Sequence, residues 1–136
     1  MTLSALYDLA RQEDVDVDCF AMDKTEAMSC LFKDGSCSVA IDPFRLTSEA
    51  DEKVKLGHEL GHCLTGAFYN RYSDFDLRRR HEIRADRWAI KKLIPKDELV
   101  MAYCQGCVEA WQLADHFGVT EDFVYKALEA YMVEGL

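Results

Sequence analysis

Over residues 2–13 the apolar positions Leu3, Leu6, Leu9 and Ala10 recur at helical spacing, and the period then changes to two, with aspartates between Val15, Val17 and Cys19. A helix that feeds a strand is predicted. Two further strand-like runs, 27–33 and 36–42, flank Asp34-Gly35, a dipeptide suited to the positive φ angles of a tight hairpin turn, so a small antiparallel sheet is expected. Pro43 closes the last strand. Ser48, with Asp51 three residues on, resembles a capping box that opens a helix running to about Phe68. Residues 69–76 are polar and aromatic without a period and read as a loop. A second long helix is expected over about 77–94, ending before Pro95. Beyond a short helix at 96–103, the stripes Trp111, Ala114, Phe117 and Phe123, Val124, Ala127, Leu128 predict two helices broken at Gly118-Val119.

These elements imply an α+β fold: a small antiparallel sheet packed on a helical core, with a C-terminal helical cap. No linker interrupts the 136 residues, so one domain is expected, with a core at 36–95 and a helical, helix-turn-helix-like segment at 96–136. With 49% hydrophobic and 30% charged residues, the chain is globular in composition. Its formal charge of −9 works against nucleic acid, because that affinity comes largely from neutralising phosphates. The N-terminus has no basic segment and no long apolar run, which points away from export or a membrane span and toward the cytoplasm. Six cysteines, at 19, 30, 37, 63, 104 and 107, are then expected as free thiols.

The chemistry lies in His58-Glu59-Leu60-Gly61-His62, an H-E-x-x-H segment. Two imidazoles one helical turn apart project from the same face and can close on one zinc ion, while Glu59, rotated off that face, is placed to act as general base. Leu56, Leu60, Cys63 and Ala67 form a narrow apolar stripe on the other side of the wheel, and Gly57 and Gly61 between the faces would let another helix approach closely. Read blandly, the motif is two ordinary surface histidines. Against that, the next helix places Glu82 and Asp86 at the head of the stripe that continues through Ala89 and Leu93, and acids on an apolar line need a partner.

A zinc site with two histidines and an open position needs one more protein ligand. Glu82 is the candidate. His81 is its rival, turned about 100° away on the wheel toward Arg84 and Trp88. Asp86 either accepts the ring N–H of a ligand histidine or forms an ordinary helix ion pair with arginines near 78 and 79. Tyr69, Arg71 and Tyr72, in the loop after the metal helix, are the nearest candidates to donate to an oxyanion, and packing is the alternative role for the aromatics.

The order His58-Glu59-Leu60-Gly61-His62, Glu82 20 residues after His62, then Ala85-Asp86, Trp88-Ala89 and Leu93-Ile94-Pro95 resembles the ImmA/IrrE family of metallo-endopeptidases over about residues 36–128. The resemblance implies zinc on His58, His62 and Glu82, Glu59 as the catalytic base, and a helix-turn-helix repressor of a phage or mobile element as substrate. Trp88 stands where a phenylalanine is usual. The shortness of the chain leaves no appended sensor domain in this reading. An anti-repressor that keeps zinc but captures its partner without cutting is the alternative function.

Three other features carry less. Leu113 to Leu128 has a helix-turn-helix pattern, but its second helix holds Glu121, Asp122, Glu129 and Glu134 against Lys126 alone, which would repel phosphates. Cys104-Gln-Gly-Cys107 lacks the second ligand pair of a structural zinc site. Cys63 is read as a core residue, and His116 as a surface one.

Overall fold

The computed structural model describes residues 1–70 and 72–136. Helix α1 (Leu3–Gln12) is capped by the Thr2 hydroxyl, which accepts from the Ala5 amide, and buries Leu6 and Ala10. It leads into strand β1 (Asp16–Cys19), followed by β2 (Ala27–Leu31) and β3 (Cys37–Ile41). The α+β class holds, but the sheet is mixed rather than antiparallel. β3 lies in the middle, antiparallel to β2 and parallel to β1, with Val17 opposite Val39. Burial explains the order: Val39 and Ile41 are fully buried, so the most apolar strand takes the centre, while aspartate-bearing β1 takes an edge.

The hairpin turn also differs from expectation. Only Gly35 has a positive φ, at 89°, and Asp34 does not. The Phe32 carbonyl accepts from the Gly35 amide while the Phe32 amide donates to Ser36, the pattern of a three-residue turn whose left-handed residue is the glycine.

Helix α2 (Glu49–Thr65) starts as its sequence signals, with the Ser48 hydroxyl accepting from the Asp51 amide; the Asp51 carboxylate turns back to the Thr47 amide. It ends at Thr65, short of Phe68, because Gly66 adopts a left-handed conformation at φ 68° and reverses the chain. Helix α3 (Phe75–Leu93) begins earlier than expected, since the Asp74 side chain caps it. α4 (Lys96–Cys104), α5 (Ala110–Phe117) and α6 (Glu121–Leu128) follow, and α6 runs on through one wider π turn at Glu129–Val133.

α2 packs most extensively on α3. A Cβ at Gly61 would lie 2.5 Å from the Ala85 carbonyl oxygen, so the close approach expected of that glycine is real. Leu56, Leu60, Ala89, Leu93, Leu113, Phe117, Phe123 and Val124 share one core, which joins the C-terminal helices to the metal-motif helix. The Lys53 ammonium, buried under α5, donates to the Phe117 carbonyl at that helix's C-terminal end, where a cation complements the helix dipole.

The expectation of six free thiols is overturned. Cys37 at the start of β3 is disulfide-bonded to Cys63 in the last turn of α2, with Cα atoms 5.9 Å apart. The sheet's packing across α2 brings the two together, a tertiary fact that spacing along the chain does not reveal. Cys19, Cys30, Cys104 and Cys107 are free. Trp88 is half-buried against the core, with the Lys92 ammonium 5.9 Å from its ring centre. No helix among the described residues is long and apolar enough to cross a membrane.

Candidate metal centre

His58 and His62 sit one turn apart on α2, and α3 brings Glu82 across to them. The two Nε2 atoms are 3.2 Å apart, and the Glu82 carboxylate reaches His58 Nε2 at 2.8 Å and His62 Nε2 at 3.2 Å. Ligand atoms of a tetrahedral zinc, at bonds near 2.05 Å, stand about 3.3 Å from one another. The observed spacings are close to this value, and the borderline N/O donor set suits a zinc-like ion, so the three residues fit a metal. His81, the rival, does not join them. Its ring stacks on Tyr69 at 6.4 Å, and its buried Nδ1 has no hydrogen-bond partner among the described residues.

Each ligand is held from behind. His58 Nδ1 is 2.8 Å from Asp86 Oδ1, which fixes the tautomer that leaves Nε2 free for a metal. The other Asp86 oxygen faces Lys126 of α6 at 3.3 Å. His62 Nδ1 hydrogen-bonds the Ala67 carbonyl, and the Tyr69 hydroxyl donates to Glu82 Oε1.

The protonation states follow from these contacts. Burial pulls the His58 pKa down, but its bonds to Asp86 and Glu82 prevail and raise it to about 10. His62 behaves alike: burial lowers it, while Glu82 and the Ala67 carbonyl hold it raised. The two histidines keep the Glu82 carboxylate well below its usual range. Without a metal, both imidazoles are therefore biased toward the protonated form around a carboxylate, and a cation enters by displacing protons.

Glu59 is only 9% exposed, and burial raises its pKa against the opposing pull of both histidines and a hydrogen bond with Ser29. A carboxyl so placed, beside three metal-type ligands, is suited to proton transfer. It opens on a cleft with two ends. The narrower end, about 450 Å³, is walled by Met28, Ser29, Ala67, Phe68 and Tyr69; the wider, about 660 Å³, runs past Lys24, Val54, Phe123 and Lys126. Edge strand β2 borders both.

Along 44–129 the chain matches the model of the peptidase M78 family, the IrrE N-terminal-like domain. The chain belongs to this family. The match spans α2 and α3, which carry His58, Glu59, His62 and Glu82, and continues through α6. Membership makes the chain a member of a metallopeptidase family, in keeping with the cluster found above. No curated protein and no solved structure showed a significant match to the chain.

The remaining candidates divide. Tyr69 lines the narrow end of the cleft. Tyr72 stands 80% exposed and is absent from the lining of either end. Arg71 lies outside the described residues. Sequence reasoning passed over Ser29, the Ala67 carbonyl and Lys126, which touch Glu59, His62 and Asp86. Gly66 alone signalled one of these contacts, since a left-handed residue there folds the chain back over His62.

Proposed function

We propose that the chain is a zinc-dependent endopeptidase that hydrolyses a peptide bond in an intracellular protein, a helix-turn-helix repressor of a phage or mobile element. One observation carries this reading: His58, His62 and Glu82 converge at ligand spacing, with buried Glu59 beside them in an open cleft. A triad built only to hold a structural ion would not need an additional buried acid facing solvent space.

Zinc, when held by His58, His62 and Glu82, supplies Lewis-acid chemistry that activates water and polarises a carbonyl. Glu59 accepts the proton of the attacking water and returns it to the departing amine, for which its raised pKa suits it. Asp86 orients His58, and the Ala67 carbonyl orients His62. Tyr69, with its hydroxyl on Glu82 at the cleft wall, is the candidate donor to the developing oxyanion. An extended segment of substrate can add to the edge of β2, so main-chain hydrogen bonds hold it across the site.

The repressor assignment rests on the family and on charge. A chain of net charge −9 attracts a basic DNA-binding protein, and the same charge disfavours direct binding to nucleic acid. The test is to incubate the zinc-loaded chain with the repressor encoded beside its gene, with Glu59→Gln as control. Discrete fragments, lost with the variant, are expected. An intact repressor under zinc-replete conditions would overturn the reading, and stoichiometric co-elution in that case would identify an anti-repressor that works by capture.

A further inference from the structure

The two ends of the cleft differ in charge. Around the wider end stand Lys24, Arg45, Lys55 and Lys126, four of the 16 basic residues in an acidic chain. Once His58, Glu59, Glu82 and Asp86 are set aside as metal-site groups, the remaining acid there is Glu26. Among the described residues, the narrower end has no lysine or arginine in its lining.

These cations are not equally committed. Lys55 lies between Glu26 and Asp51, each at 2.8 Å. Arg45 is 3.3 Å from Asp42 and donates to the Asp23 carbonyl. Lys126, about half exposed, shares Asp86 with His58, and one contact leaves an ammonium two further donors. Lys24 is exposed and makes no ion pair or side-chain hydrogen bond among the described residues. Ala27, Val54 and Phe123 supply apolar wall at this same end. Low-dielectric walls with spare cations focus positive potential in a cleft even where the net charge of the chain is negative.

We propose that the wide end of the cleft is a carboxylate-binding subsite, with Lys24 and Lys126 as the residues that select a substrate bearing an acidic group a few positions to that side of the scissile bond. The inference rests on the peptidase reading and adds the substrate chemistry to it. The carboxylate can come from an aspartate or glutamate side chain or from a free C-terminus, since both present the same pair of oxygens to an ammonium.

The test uses the zinc-loaded Glu59→Gln protein, which holds a peptide without cutting it, and fluorescence anisotropy of labelled decapeptides. One series moves a single glutamate along an amidated Ala/Phe/Gln frame; matched series carry glutamine or lysine instead, and one glutamine peptide keeps a free C-terminus. Two exposed ion pairs together are expected to favour the best glutamate register over glutamine about fivefold, with lysine weaker still. The preference should shrink in 0.5 M salt, at a Debye length of roughly 4 Å. It should fall at least twofold in Lys24→Gln, a residue that makes no ion pair with Asp86, and vanish in the Lys24→Gln/Lys126→Gln double variant. If the free C-terminus alone restores the gain, the subsite is one for chain ends; if internal glutamate suffices, it reads side chains. Equal binding of glutamate and glutamine peptides in every register, a preference that survives in the double variant, or no binding of any peptide would overturn the proposal. Failure of the peptidase reading would show separately, as an uncut repressor with the wild-type chain, while this binding preference persisted.

Discussion

Replacing Gly61 by alanine should disable the metal centre without touching a ligand. The added Cβ would lie 2.5 Å from the Ala85 carbonyl oxygen and 3.0 Å from its Cα. Ordinary contact begins near 3.4 Å, so α2 and α3 must part by about 0.9 Å at this point. Neither atom belongs to a flexible side chain. His62 follows Gly61, and Glu82 is one turn before Ala85, so the separation acts on the gap that the metal must bridge. Metal–ligand distances tolerate only about 0.2 Å. Overpacking costs about 1–3 kcal/mol, and the better helix propensity of alanine returns about 1 kcal/mol, so the net loss of stability is up to about 2 kcal/mol. The larger effect is expected on zinc, with affinity lowered at least tenfold.

Gly57→Ala is the matched control. Its Cβ would meet the Leu93 Cδ1 at 3.0 Å, the far end of a flexible side chain, and the Ala89 Cβ at 3.7 Å. A shift of a few tenths of an ångström at the end of the Leu93 side chain relieves that contact, so propensity decides and the variant should be neutral or stabilised by up to about 1 kcal/mol. Urea unfolding of the metal-free proteins and zinc competition against a chromophoric chelator separate the two readouts. Wild-type zinc affinity in Gly61→Ala would refute the argument, as would equal losses in both variants.

Three further outcomes are expected. Asp86→Ala should lower zinc affinity about 10–100-fold by releasing His58, measured by the same competition, and an unchanged affinity would remove Asp86 from the site. In the metal-free protein the His58 pKa is raised from 6.5 to about 10, so the stability this histidine contributes is full below pH 6.5 and is lost as pH rises through 10. Zinc uptake at pH 7.5 must then release at least one proton, visible as buffer-dependent heat in titration calorimetry; heat independent of the buffer would contradict this. Reduction of Cys37–Cys63, or Cys63→Ser, should cost about 3.5 kcal/mol for a 26-residue separation in the loop-entropy view, read as a shift of the urea midpoint, and an unmoved midpoint under reductant would disprove the bond's role.

What could be read from the sequence is what is encoded locally. The period of 3.6 over α1 and α3, the Ser48 cap and the Pro95 stop are properties of short segments, and the elements formed near where they indicated. The pairing of β1 was not local. Its partner is the most buried strand, and alternation in β1 cannot distinguish a parallel neighbour from an antiparallel one. Ala67 shows the same limit at smaller scale. It extends the helical stripe on paper, yet Gly66 ends the helix, and Ala67 is buried with its carbonyl against His62. At the site, spacing sufficed to bring His58, His62 and Glu82 together, because all three are placed by two regular helices. Ser29 on Glu59 and Lys126 on Asp86 come from elements far along the chain, so no spacing rule could have found them.

The C-terminal helices show how the local form of a pattern and its place in the packed fold are separate facts. α5 and α6 do form two short helices about Gly118, as a helix-turn-helix would. Their apolar faces, Leu113, Phe117, Phe123, Val124 and Ala127, are buried in the same core as Leu56 and Leu60 of the metal-motif helix. α6 also presents Phe123 and Lys126 to the cleft, while Glu121 and Asp122 in its first turn are exposed. In this arrangement the second helix forms one wall of the cleft beside His58, Glu59 and Glu82, and its charges are accommodated there. A lysine beside Asp86 is favourable, and exposed acids at the helix N-terminus complement its dipole. Lys53, reaching from α2 to the end of α5, ties this wall to the helix that carries both histidines.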